Sequence, residues 1–208
     1  MQIAIALYER FTALDAIGPY QTLGGLPGAD VVLVAEQAGP VRDDSGRLAL
    51  VADKSFADVP RPDIVVVPGG PEQRDQTENE ALLGWLRAAD AHTTWTTSVC
   101  TGSLALAAAG LLDGREATSH WLALEELGRF GARSTGQRVV FDGKYVTAAG
   151  VSSGIDMGLA LAGRIAGDET AQAIQLMTEY DPQPPYDAGS PEKAPAHLVE
   201  RFRASVRA

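Results

Sequence analysis

Asp63-Ile64-Val65-Val66-Val67-Pro68-Gly69-Gly70 is the stretch from which the fold is read. Its β-branched run shows no alternation of apolar and polar positions, which is the pattern of a parallel strand covered on both faces. Pro68 ends the run, and the two glycines turn the chain. A strand buried on both faces needs neighbouring strands at its edges and helices above and below. The flanking sequence supplies both. Upstream, Ile3 to Leu7 and Val31 to Ala35 are apolar runs too short for helices, and a helical segment containing Thr12-Ala-Leu-Asp-Ala-Ile lies between them. Gly39-Pro40 and Asp44-Ser45-Gly46 then punctuate a small hairpin or excursion carrying Leu48 and Leu50.

Downstream, the spacing predicts a helix from about Asn79 to Ala91 and a strand over Thr93 to Val99. That strand runs straight into a helix-forming Thr101-Gly-Ser-Leu-Ala-Leu-Ala-Ala-Ala segment, closed by Gly110. Trp121 to Phe130 reads as a further helix. Val139-Val-Phe-Asp-Gly-Lys-Tyr-Val-Thr reads as a hairpin about its Asp-Gly turn. Ser152 to Ala166 and Asp168 to Tyr180 are helical, with Ser152 and Asp168 able to cap their first turns. Strands alternating with helices define an α/β chain with a flavodoxin-like, mainly parallel sheet and helices on both faces. Residues 1–208 are expected to form one domain with a Pro-rich strap at 181–195, whose Tyr186 can anchor it to a partner surface. A last short helix lies near Pro195 to Arg207.

Composition narrows the function. Seventeen Lys and Arg against 27 Asp and Glu give a net charge of −10, a field that repels phosphate backbones and anionic membranes. Nucleic acid is not an expected partner. No stretch approaches the roughly 20 apolar residues of a membrane span, and Met-Gln-Ile-Ala-Ile-Ala lacks the charged start of a secretory leader, so a soluble, cytoplasmic protein is expected. Cys100 is the one cysteine, which leaves no intramolecular disulfide or cysteine cluster. His92, His120 and His197 are scattered without ligand spacing, so no metal is expected. Gly69-Gly70 lacks the spacing of a Walker loop or a dinucleotide fingerprint, so no nucleotide cofactor is expected either.

The chemistry gathers at the strand ends, where ligands bind in such sheets. In Ser98-Val-Cys-Thr-Gly102 small residues stand two before and two after the cysteine at a strand-to-helix joint, the spacing of a nucleophile elbow with sulfur in place of oxygen. A lone cysteine is most often an inert buried thiol. Here the elbow favours a reactive one, and the helix N-terminus that follows should favour the thiolate. Asp15, in Leu14-Asp15-Ala-Ile-Gly18-Pro19, follows the first strand among apolar neighbours. It reads equally as a general acid that keeps its proton through desolvation and as a helix N-terminal carboxylate on backbone N–H groups. Gly70 can bring a backbone N–H to a developing negative charge. His120, in Thr118-Ser-His-Trp121, can act as a base that activates Cys100 or pack structurally with Trp121.

Taken together these residues resemble the ThiJ/PfpI superfamily, and the resemblance covers nearly the whole chain. Leu14-Asp15-Ala-Ile-Gly18-Pro19, Val67-Pro-Gly-Gly70, Thr97-Ser-Val-Cys-Thr-Gly-Ser103, Ala108-Ala-Gly-Leu-Leu-Asp-Gly114, Thr118-Ser-His-Trp121, Gly150-Val-Ser-Ser-Gly-Ile-Asp156 and the tail Glu179 to Pro191 look like its isocyanide-hydrating branch. That resemblance implies a homodimeric, cofactor-free hydro-lyase that adds water to an isocyanide to give an N-formamide. It implies Cys100 as nucleophile, Asp15 as acid and base, Thr101 as a neighbouring polar contact and Gly70 as a backbone donor beside the sulfur. Val151 is implied to pack the helix beside the nucleophile. Ser119 before the His-Trp pair and Ala148-Ala149 before Gly150 depart from the branch's pattern near the pocket. Three rivals remain within the fold. A peptidase would want a histidine against the cysteine, where Thr101 stands; a glyoxalase or deglycase relative would more often use a glutamate; and a redox or ligand sensor would resemble AraC-type regulators without their basic helix-turn-helix.

Overall fold

The computed structural model describes residues 1–207. Residues Met1–Thr178 and Glu179–Ala208 form two compact units. In the first, β1 (Gln2–Ala6), β2 (Asp30–Ala35), the hairpin β3 (Gly39–Arg42) and β4 (Ala49–Ala52), β5 (Lys54–Ser55) and β6 (Ile64–Val67) interleave with α1 (Ala13–Leu23). There follow α2 (Gln73–Thr77), α3 (Glu80–Asp90), β7 (Trp95–Val99), α4 (Gly102–Ala108), β8 (Glu116–Ala117), α5 (Leu124–Arg129) and β9 (Arg133–Ser134). The hairpin β10 (Val139–Asp142) and β11 (Tyr145–Ala148) leads to α6 (Ser153–Ala166) and α7 (Asp168–Met177). In the second unit residues 181–195 carry no helix or strand, and α8 spans Ala196–Arg207.

The main sheet has the order β10-β11-β7-β6-β1-β2-β5. Every neighbouring pair is parallel except β10 with β11. The α/β reading is therefore correct. All four residues of β6 are buried, as its unbroken apolar run requires. Because the chain leaves β1 for β2 on one side and later returns to β6 on the other, the sheet reverses its winding between β1 and β6. The crevice beyond their carboxyl ends is where a ligand meets the sheet.

Helix α3 shows how the sequence builds a layer. Asn79 Oδ1 accepts the Leu82 N–H at 3.0 Å and caps it. Leu82, Leu83, Trp85, Leu86 and Ala89 recur at helical spacing on its buried face, and each large apolar side chain contributes roughly 1.5–3 kcal/mol relative to leaving it in water. The opposite layer is closer packed. A Cβ on Gly158 of α6 would overlap the Thr22 hydroxyl of α1, and one on Gly18 would stand 3.2 Å from Ile155. These glycines let α1 settle against α6, which fixes the helix that carries Asp15.

Local expectations fail in four places. Ser152 makes no capping bond to α6; its hydroxyl instead accepts from Arg138 at 3.2 Å. Asp168 lies inside the first turn of α7, whose cap position is Gly167. The helix read over Trp121 to Phe130 is shorter, Leu124–Arg129, because the Ala123 N–H turns back to His120 O at 2.8 Å. The two-residue strands β8 and β9, paired in parallel, went unread.

Candidate active site

Cys100 joins β7 to α4 with φ of +58°, in the left-handed region that a non-glycine residue seldom occupies. Holding it there costs about 1–3 kcal/mol, so the surroundings must over-determine the turn. They do. The Cys100 N–H donates to the carbonyls of Ala149 at 2.8 Å and Ala148 at 3.1 Å. Its own carbonyl accepts the hydroxyls of Ser119 at 3.0 Å and Ser103 at 3.2 Å. Gly102 is obligatory, since a Cβ there would overlap the Val67 carbonyl oxygen and stand 2.8 Å from that of Pro68. The small residue after the cysteine thus answers to the end of β6, the strand that opened the reading.

Asp15 is 0% exposed and Cys100 is 6% exposed. Asp15 Oδ2 accepts the Gly69 N–H at 2.9 Å, while Oδ1 meets no N–H or O–H donor among the described residues. The carboxyl and the thiol are close enough for each to act on the other's proton. Burial pushes the Asp15 carboxyl up to about 7, against the opposing pull of the Gly69 N–H and the Cys100 thiol. Burial also pushes the Cys100 thiol up, to about 12, and the Asp15 charge adds to it, although the backbone N–H groups of Val151 and Thr101 favour the anion. The expected lowering of the thiol by the helix end is therefore reversed: desolvation and a buried carboxylate outweigh two amides and a seven-residue helix. Between the two values the pair shares one proton, and its titration belongs to both residues together.

Thr101 reaches the site in two ways. Its N–H faces the sulfur, while its hydroxyl accepts the Gly70 N–H at 2.9 Å and donates to the Gly70 carbonyl at 2.8 Å. The Gly70 amide hydrogen is thus engaged with Thr101, and the amides at the sulfur are those of Thr101 and Val151. Val151 contributes its backbone as well as its half-buried side chain. His120 Nδ1 accepts the Leu122 N–H at 3.4 Å. Its ring is seated on Gly150, where an added Cβ would stand 2.8 Å from Cδ2, and burial lowers its proton affinity. It meets the site through the turn that carries Val151.

Sequence reasoning set Ser119 near the pocket without giving it a role, and passed over Gln76 and Tyr8. Ser119 holds the Cys100 carbonyl. Gln76 is fully buried, and its Nε2 donates to the Gly70 carbonyl at 2.9 Å and to that of Glu72 at 3.2 Å. The Tyr8 hydroxyl donates to the Pro68 carbonyl at 2.9 Å. Only the small size of the 98–103 stretch hinted at such close packing. A cleft of about 740 Å³ opens beside this cluster, walled by Leu7, Tyr8, Arg10, Ala35, Pro40 and Phe56 among others, but neither Cys100 nor Asp15 lines it. Tyr8 belongs to both places.

A strained cysteine elbow beside a buried carboxyl, at the winding reversal of a parallel sheet, defines a class. The chain belongs to the DJ-1/PfpI family, which it matches over residues 1–164. It is similar to the isonitrile hydratase of Pseudomonas putida, with 42% identity over 203 residues, 98% of this chain and 89% of that one. A ThiJ/PfpI family protein from Pseudomonas syringae has the same architecture, with a TM-score of 0.95 and 39% identity over 99% of this chain and 86% of its own. The HTH-type transcriptional regulator CdhR of Pseudomonas aeruginosa shares 31% identity over 150 residues, 71% of this chain and 44% of its own length.

Proposed function

We propose that this protein is an isocyanide hydratase, adding water to an isocyanide to give an N-formamide through a cysteine-bound thioimidate. The observation that carries the proposal is the buried Asp15 carboxyl beside the strained Cys100 elbow, together with the likeness to isonitrile hydratase over nearly the full length of both chains. The terminal carbon of an isocyanide is divalent, so it can take a nucleophile and a proton at the same atom. A thiol paired with a buried carboxylate supplies both. Asp15 takes the thiol proton as Sγ forms its bond to the carbon and returns that proton to the same carbon, which leaves R–N=CH–S–Cys100. Asp15, again a carboxylate, removes a proton from water as the water oxygen adds to the thioimidate carbon, and passes that proton to the nitrogen. Collapse breaks the C–S bond, forms the formyl C=O and returns a proton to sulfur. No step draws on His120, whose burial lowers its proton affinity. The Thr101 and Val151 amides steady charge on the sulfur as it leaves.

The homodimer and absence of a cofactor implied by the family resemblance, and a cytoplasmic setting, are part of the proposal. Leu14, Ile17 and Tyr20 are exposed along one side of α1, a face suited to a second copy. Light scattering that reads one protomer mass at working concentration refutes the dimer.

The hydratase proposal is tested by turnover of a panel of alkyl and aryl isocyanides by the wild type, Cys100→Ala and Asp15→Asn. Formamide from the wild type and from neither variant supports it; none from the wild type across the panel refutes it. The regulator relative keeps a ligand sensor in view. An oxidation sensor fits poorly, because a thiol held protonated by burial and a neighbouring carboxylate lacks the thiolate on which oxidation depends.

A further inference from the structure

Pro68 and Gly69 share one peptide unit, and both of its polar ends are held by side chains. At one end the Tyr8 hydroxyl donates to the Pro68 carbonyl at 2.9 Å. At the other the Gly69 N–H donates to Asp15 Oδ2 at 2.9 Å. Tyr8 O–H, Pro68 C=O, Gly69 N–H and the Asp15 carboxyl therefore form one head-to-tail chain of hydrogen bonds. All of it is withdrawn from water, with Tyr8 only 6% exposed. A donor on a peptide oxygen draws electron density from the amide and makes its N–H a stronger donor, and low dielectric amplifies the effect.

We propose that Tyr8 is a positioning residue for the acid: its hydroxyl polarises the Pro68–Gly69 peptide and so strengthens the bond that Gly69 gives Asp15. This deepens the hydratase proposal and rests on it only for the consequence in turnover. The arrangement has geometric support beyond the two distances. A Cβ on Gly69 would stand 3.0 Å from Asp15 Oδ2 and 2.6 Å from the Thr101 N, and one on Gly70 would stand 3.3 Å from the Tyr8 hydroxyl. No side chain fits at either glycine, so the phenol, the peptide and the acid are closely packed around this turn. The phenol stays neutral, its ionisation opposed by burial and by Asp15, Cys100, Asp75 and Asp44. Toward the Pro68 carbonyl oxygen it therefore acts as the donor.

The groups that face Asp15 are Cys100 from the elbow and Asp44 from the β3–β4 hairpin. Asp44 accepts the Thr12 hydroxyl at 2.9 Å. Neither changes when the Tyr8 hydroxyl is removed. The Gly69 bond favours the carboxylate, so weakening it makes Asp15 hold its proton more tightly. Cooperative strengthening of about 10–30% per bond, applied to a bond to a carboxylate, corresponds to about a twofold change in proton affinity, or about 0.3 pH unit.

The test is the infrared band of the protonated Asp15 carboxyl followed against pH, isolated by subtracting the Asp15→Asn spectrum. Tyr8→Phe keeps the ring and should move the midpoint up by about 0.3 pH unit. 3-Fluorotyrosine at position 8, a stronger donor, should move it down, and it serves if Tyr8→Phe does not fold. A change in packing has no reason to give opposite signs. In the Asp15→Asn background Tyr8→Phe should leave the pH profile of Cys100 alkylation by iodoacetamide where it is. Coincident midpoints in wild type and variants, or the same alkylation shift with and without the carboxyl, overturn the proposal. Absence of isocyanide turnover in the wild type would remove the hydratase proposal and leave these titrations intact.

Discussion

Asp15 Oδ2 accepts the amide hydrogen of Gly69 at 2.9 Å, which fastens the acid on α1 to the turn that ends β6, 54 positions along the chain. The carboxyl therefore stands where Gly69 leaves room for it, with the cysteine on the next strand as its other neighbour. The site is a property of the sheet's winding, because β1, β6 and β7 lie side by side and each delivers one part.

Asp15→Asn should lower the Cys100 midpoint from about 12, since the buried charge that opposes thiolate formation is gone. The same variant should lose about 10²–10⁴-fold in hydration rate, the usual worth of a positioned acid or base. Alkylation rate against pH, read by intact mass, measures the first and a formamide assay the second. A more reactive thiol in a less active enzyme is the expected combination; a midpoint that rises would contradict the electrostatic account.

Stability should decline as pH rises from 4 to 8 through Asp15. Its folded-state value stands at about 7 against an ordinary 3.8, so the folded chain keeps a proton that the unfolded chain has already released. The stabilisation from this group is complete below about pH 4 and gone above about pH 7, with an upper size of about 4 kcal/mol. Urea denaturation of wild type and Asp15→Asn across this range isolates the effect. The difference between the two should fall with increasing pH, and a constant difference would show that the carboxyl titrates alike in both states.

Gly102→Ala should be severely destabilising, by about 2 kcal/mol or more, because the new methyl group falls on the Val67 carbonyl. Gly110→Ala, at positive φ with open space around it, should cost only about 1 kcal/mol of backbone strain. Thermal melts of the two variants should rank in that order, and equal losses would mean that the chain relieves the contact with Val67 at little cost.

Ser119→Ala removes one of two hydroxyls from the Cys100 carbonyl and leaves Ser103 in place. The expected loss is about 1 kcal/mol in stability, with a fall in kcat larger than any change in KM because the elbow loosens while the pocket is kept. A rise in KM alone would assign Ser119 to substrate contact instead.

Much of this was readable from the chain because the signals are local. The unbroken Ile64–Val67 run announced a two-faced strand, the Ser98-to-Gly102 spacing announced an elbow, and Asp142-Gly143 announced the β10–β11 turn. What escaped depends on partners far away in sequence. Tyr8 follows an apolar run like any strand-end residue, and its carbonyl partner lies 60 positions on. Gln76 sits in a five-residue helix whose sequence, Gln-Arg-Asp-Gln-Thr, has no apolar periodicity. Glu116-Ala117 and Arg133-Ser134 pair because the loops around them run side by side, and nothing in their composition favours a strand. The direction of the Cys100 shift escaped for a related reason. Sequence shows the helix end beside the thiol, while depth and the facing carboxylate belong to the folded chain.

The most direct test of the account is rapid-quench mass spectrometry during turnover of an aryl isocyanide. The account predicts a transient species heavier than the protein by the full mass of the isocyanide, mapped by proteolysis to Cys100, forming and decaying at rates consistent with formamide release. Formamide produced with no such adduct at any time, or produced equally well by Cys100→Ala, would contradict it.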